Sequence, residues 1–241
     1  MDDIKEEFIS TLSHEIRTPL TSIRGFSKTM LDNWQSLDDE QKKKFLSIIA
    51  NQSQRLINLV ENVLNVSKID SGANDNVLTK VDTINAINTA IAVVKANYKD
   101  FDFNFTICSK ESVLADFNKL QQVLINILDN AAKYSKDSKK VEISLKNDKN
   151  SAIISVKNFG VSIDKKYFDK IFDKFYRIDT HLKSTTQGSG LGLYITKHLL
   201  EGMGADIKVK SGENPKYCEF IVTLPLYEVE KATLGALKNT K

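Results

Sequence analysis

The chain has almost no cysteine, little proline and no long apolar run, and each shortage removes a class of protein. Its only cysteines, Cys108 and Cys218, sit in no metal-like spacing. That excludes a disulfide scaffold and points to a reducing compartment, hence a cytoplasmic location. No hydrophobic stretch approaches the ~20 residues of a membrane span, and the first residues lack the pattern of a secretory leader. An excess of one charge is missing too. The 34 basic and 31 acidic residues leave a net charge of +3, too balanced to argue for nucleic acid or a membrane surface. What remains is globular: 41% hydrophobic and 27% charged residues over 241 positions, enough for one large domain or two ordinary ones. Any membrane attachment is expected through segments outside this chain, because the opening DDIKEEF already reads as helix and suggests the catalytic end of something longer.

The organising stretch is residues 8–26, FISTLSHEIRTPLTSIRGF. Phe8, Leu12, Ile16, Leu20 and Ile23 recur at the spacing of one helix face. His14 departs from that stripe, with Glu15 beside it and Arg17, Thr18 and Pro19 close behind. A neutral imidazole is a nucleophile, and free imidazole titrates near pH ~6.5. Glu15 can take a proton as the ring acquires a phosphoryl group. Pro19 lacks an N–H for the carbonyl of Glu15, so the helix is expected to loosen or bend there. Thr18 offers a hydroxyl that can position a water.

This helix is predicted over residues 2–33. A second begins after a polar turn, capped by Asp38 or Asp39, with Phe45, Ile48, Ile49, Leu56, Leu59, Val63 and Val66 on its apolar face. Two long helices joined by a short turn make an antiparallel hairpin. A hairpin cannot bury its one apolar face alone, so a homodimer forming a four-helix bundle is expected. Residues 71–76 are small and polar and mark a boundary. Beyond it come a short strand over 77–81, a helix capped by Asp82, and an alternating strand at Phe101, Phe103, Phe105 and Ile107. A strand at 113–115 and a helix capped by Asp116 follow. A hairpin is read at 141–145 and 153–156, then a helix over 190–202 and strands at 206–210 and 218–224. The pattern gives an α+β chain: a helical hairpin, residues 1–72; an α/β sandwich, residues 77–226; and a tail, residues 227–241.

Two further motifs carry chemistry. Asn126 and Asn130 lie i and i+4 on one helix face, with Lys133 one turn on and Tyr134 beside it. The opposite face is apolar, so the polar face is expected to line a cleft. Carboxamide oxygens suit Mg²⁺ beside phosphates and water, and lysine neutralises phosphate charge. Gly188-Ser189-Gly190-Leu191-Gly192 then opens a helix, where glycines permit close backbone approach and the helix start favours phosphate. No Gly-Lys-Ser/Thr follows, so it is not a P-loop.

Together these stretches resemble the bacterial sensor histidine kinases of two-component systems. Residues 8–26 resemble their H-box, QQVLINILDNAAKYS the N-box, IFDKFYRID the F-box and GSGLGLYITKHLLEGMG the G2-box, in family order to about Leu226. The resemblance implies a dimerisation and phosphotransfer hairpin followed by an ATP-binding domain of the Hsp90/gyrase/histidine-kinase type. It implies autophosphorylation of His14 from ATP and transfer to an aspartate of a response-regulator receiver domain. It also implies roles. Glu15 is the acid-base partner and Thr18 assists dephosphorylation of the regulator. Asn130 ligates Mg²⁺, and Asn126, Lys133 and Tyr134 line the nucleotide site. Phe172 and Phe175 support the lid, Arg177 approaches the phosphates, and Gly188, Gly190, Leu191 and Gly192 close over them. Related ATPases carry a carboxylate base where this chain has Asn126, which favours transfer to histidine over hydrolysis.

One box departs. Where the family reads Asp-x-Gly-x-Gly, this chain has Asn158-Phe159-Gly160-Val161-Ser162. Asn158 keeps an acceptor for adenine but brings no charge, at a cost of about ten-fold in affinity. Ser162 replaces a glycine where an unusual backbone is expected. The alternative to a working kinase is a degenerate one, acting as phosphatase or signalling scaffold.

Overall fold

A computed structural model describes residues 2–72, 76–135, 138–178 and 189–228, with the backbone alone for residues 2–11. Gly188, the Phe8 side chain and the tail beyond residue 228 lie outside the described residues. The chain divides into two units, a helical one over residues 1–72 to which residues 181–191 are assigned, and an α/β one over residues 73–180 and 192–241.

The helical unit is α1 (Asp2–Asn33) and α2 (Asp39–Asp70). Asp38 starts α2 through a reciprocal cap: its carboxylate accepts from the Gln41 N–H at 2.7 Å, and the Gln41 side chain accepts from the Asp38 N–H at 3.1 Å. The helices pack through Phe26 against Phe45, ring centroids 5.2 Å apart, around buried Met30, Leu59 and Val66. Pro19 lies inside α1 and is buried. One expectation changes here. Leu20, read as part of the apolar stripe, is 50% exposed, as are Ile57, Val60 and Leu64 at similar levels. A single hairpin covers only part of its own apolar surface.

The α/β unit runs β1 (Thr79–Asp82), α3 (Thr83–Asn97), β2 (Asp102–Ile107), β3 (Ser112–Ala115), α4 (Phe117–Tyr134), β4 (Lys140–Asp148), β5 (Ser151–Phe159), α5 (Gly192–Gly202), β6 (Asp206–Glu213) and β7 (Lys216–Pro225). Asp82 and Asp116 cap α3 and α4 as expected, each accepting from backbone N–H groups of the first turn. Strand β1 starts two residues later than the apolar pattern suggested. Val77 and Leu78 are exposed, and the Val77 N–H donates to Asp116 Oδ2 at 3.1 Å rather than to a strand. The main sheet has the order β2-β4-β5-β7-β6, with β2 parallel to β4 and every other pair antiparallel; β1 and β3 form a separate antiparallel pair.

Burial alternates along the strands, and the inward row joins the apolar sides of α3, α4 and α5 in one core. On β5 that row is Ala152, Ile154, Val156 and Asn158. On α4 the buried stripe is Leu120, Val123, Leu124, Ile127, Leu128 and Ala131, which turns Asn126, Asn130 and Lys133 to a half-buried side. The hydroxyl of Ser135, capping α4, donates to the Phe159 carbonyl at 3.1 Å and so ties the end of α4 to the end of β5.

Candidate functional site

His14 is exposed on α1, whereas Glu15, one residue on, is half-buried. The reason is Arg55 on α2, whose guanidinium meets Glu15 Oε2 at 2.8 Å. The carboxylate beside the imidazole is therefore held in a fixed place by the second helix. The Thr18 hydroxyl donates to the His14 carbonyl at 3.1 Å. Its proton is spent on the backbone, and its lone pairs remain to accept from a water or ligand.

In the α/β unit, Asn126, Asn130, Lys133 and Tyr134 fall on the half-buried side of α4, with the Lys133 ammonium 5.5 Å from the Tyr134 ring centre. Asn126 is the most constrained. Its amide donates to Thr196 Oγ1 on α5 at 2.8 Å, and Thr196 is 1% exposed. A Cβ placed on Gly192 would meet Asn126 Oδ1 at 2.5 Å. Gly192 is therefore required by the close approach of α5 to α4, and α5 starts at this glycine rather than at Gly190. Gly190 lies just before the helix with φ +70°, in the region that favours glycine. Leu191 is buried.

Asn158 ends the inward row of β5 at 2% exposure, and its amide nitrogen has no hydrogen-bond partner. Its register partners on the two flanking strands are Val141 and Cys218, neither of which carries a side-chain group that competes strongly for an amide. Burial pushes the Cys218 thiol up to about 12, with Glu219 next in effect. Gly160 follows with φ +133°, which again favours glycine. Ser162 does not have positive φ; its hydroxyl instead donates to Glu213. The expectation that position 162 needs a glycine-like backbone is therefore corrected.

Of the aromatic pair, Phe172 is buried edge-on to Phe220, centroids 6.5 Å apart, and Phe175 takes φ +64°, uncommon for a large side chain. Arg177 is half-buried. The described residues contain no group of three or more His, Cys, Asp or Glu that could hold a metal, and no helix among them is long and apolar enough to cross a membrane.

Sequence reasoning missed Arg55, Thr196 and Tyr98. Arg55 gives no signal, being one of many charges on α2. Thr196 gives one, a hydroxyl inside the apolar run of α5. Tyr98 bonds Asp129, the neighbour of Asn130, and burial followed by that carboxylate pushes its phenol well above the ordinary range.

The family model "His Kinase A (phospho-acceptor) domain" matches residues 4–72. The model "Histidine kinase-, DNA gyrase B-, and HSP90-like ATPase" matches residues 115–228. Sensor protein SrrB of Staphylococcus aureus (strain MRSA252) is 32% identical over 231 residues, covering 93% of this chain and 39% of its own length. The chain thus spans about two fifths of the curated relatives it matches. Among solved structures, full-length ShkA in complex with AMPPNP is 25% identical with a TM-score of 0.66, over 92% of this chain and 46% of that one. Histidine kinase ThkA in complex with response regulator protein TrrA is 28% identical with a TM-score of 0.67, over 92% of this chain and 62% of that one. The phospho-acceptor match is followed along the chain by the ATPase match, and the chain belongs to the sensor histidine kinases of two-component signalling.

Proposed function

We propose that the chain binds ATP with Mg²⁺ in its α/β unit, phosphorylates His14, and passes the phosphoryl group to an aspartate of a response-regulator receiver domain. The observation that carries this reading is the exposed imidazole of His14 beside a carboxylate held by Arg55. In the transfer, an imidazole nitrogen forms the N–P bond as the bond from γ-phosphorus to the β,γ-bridging oxygen breaks. ADP leaves, and Glu15 accepts the ring proton. Arg55 keeps that carboxylate in position, so little reorganisation is needed when charge develops.

Asn158 supports the nucleotide site, since a buried amide nitrogen without a partner fits a ligand edge. Lys133 and Arg177 would neutralise phosphate charge, and Gly190 and Gly192 would give the backbone close approach. Asn130 would hold Mg²⁺ through its carboxamide oxygen, with phosphate and water oxygens completing the shell. The ion would screen the phosphates as charge moves to the leaving group. A homodimer through the hairpin is supported by its uncovered apolar residues. AMPPNP on ShkA and TrrA on ThkA support the nucleotide and the regulator as ligands. The degenerate-kinase alternative is disfavoured by the unstrained Ser162 and the available Asn158 amide.

Incubation with ATP labelled at the γ-phosphorus and Mg²⁺ is expected to give an acid-labile, base-stable label that His14→Ala abolishes. Equal labelling of the variant, or none in wild type, refutes the reading.

A further inference from the structure

We infer that Asn158 makes the base site tolerant of the 6-substituent of the purine, so that 6-oxopurine nucleotides such as those of hypoxanthine are accepted beside adenine nucleotides. The inference rests on the nucleotide site proposed above. Asn158 closes the inward row of β5 at 2% exposure and its amide nitrogen is unpartnered. A buried donor of this kind is costly unless a ligand satisfies it.

A carboxamide presents a donor and an acceptor side by side. Adenine offers a 6-amino donor beside the N1 acceptor, and a 6-oxopurine offers the reverse, an acceptor at the 6-oxygen beside the N1 proton. Turning the amide by half a rotation about its last torsion satisfies both atoms of either edge. A carboxylate has only acceptors. It therefore pairs with one atom of either edge, the 6-amino donor of adenine or the N1 proton of a 6-oxopurine, and sets an acceptor against the other.

The two strand neighbours do not fix the amide. Val141 and Cys218 flank Asn158 on the neighbouring strands. Valine makes no hydrogen bond, and Cys218 stays a neutral thiol because burial holds its proton. Neither fixes one orientation of the amide, and neither repels a carbonyl oxygen.

The test compares ATP with ITP, which differs only in the 6-oxygen and the N1 proton. Dissociation constants are measured by calorimetry on the whole chain with Mg²⁺, for wild type and Asn158→Ala. Wild type is expected to bind ITP within about ten-fold of ATP, and Asn158→Ala, which removes both polar atoms, to weaken both nucleotides by about ten-fold. Wild type binding ATP but holding ITP more than ten-fold more weakly overturns the inference and leaves the kinase reading standing. A folded Asn158→Ala that binds both nucleotides as wild type does also overturns it. Binding of neither nucleotide removes both readings. The wild-type ratio needs no variant, so the inference stays refutable if Asn158→Ala fails to fold.

Discussion

Replacing Gly192 by alanine tests the contact on which the α4–α5 arrangement turns. The new Cβ would stand 2.5 Å from Asn126 Oδ1 and 3.2 Å from its Cγ and Nδ2. Something must move, and the cheapest candidate is the Asn126 amide. That amide is held by its 2.8 Å bond to Thr196, which is 1% exposed. Displacing it forfeits a hydrogen bond of about 1 kcal/mol and strands a buried hydroxyl at roughly 1–3 kcal/mol. Alanine's better helix propensity returns at most about 1 kcal/mol, and less at the first helical residue. The net expectation is a loss of about 1–3 kcal/mol, seen as a lower urea midpoint for the α/β unit. The diagnostic is a double-mutant cycle with Asn126→Ala, which removes the obstructing atoms. Gly192→Ala should cost much less in the Asn126→Ala background. A neutral or stabilising single variant refutes the reasoning, as does a cycle that closes to zero. A weaker ATP complex should accompany the stability loss, because Asn126 sits on the side of α4 that carries Asn130 and Lys133.

Two further outcomes follow from partners described above. Arg55→Ala frees the Glu15 carboxylate from its 2.8 Å clamp; His14 labelling should slow by about ten-fold while ATP affinity measured by calorimetry stays unchanged, and a proportional fall in both contradicts the positioning role. The Cys218 thiol ordinarily titrates at 9.0 but is pushed up to about 12 by burial. Between those values the folded chain keeps a proton that the unfolded chain releases, so stability falls as pH rises, by up to about 1.4 kcal/mol per pH unit. Cys218→Ala should flatten that part of the urea-midpoint profile; an unchanged slope counts against the assignment. Tyr98, raised in the same direction, adds to the decline from above its ordinary value of 10.0.

Much of the fold was legible because local chemistry and burial agree. Asp38, Asp82 and Asp116 announce their helices, and the alternation at Phe101, Phe103 and Phe105 announces a strand. Two amides on one face of a packed helix are unusual for their place, and α4 turns both to its half-buried side. Long-range pairings were not legible. Glu15 meets Arg55 only once the two helices set their relative register, and nothing near Arg55 marks it among the other charges of α2. The close approach at Gly192 likewise depends on how α5 lies on α4, whereas the glycine alone reads as a loop residue.

The pairing of β5 with β7 has a consequence for how the unit assembles. Strands β4 and β5 form one local hairpin, and β6 and β7 another. The seam joining them runs from Ser151↔Pro225 to Phe159↔Tyr217, between segments far apart in sequence. Non-local pairing of this kind is slow relative to hairpin closure, so the seam is expected to zip after its two halves exist. A slip of one residue along it would bring Asn158 opposite a residue that faces the other side of the sheet. The surroundings of Asn158 are thus decided by an alignment late in folding, governed by strand residues far from it in sequence.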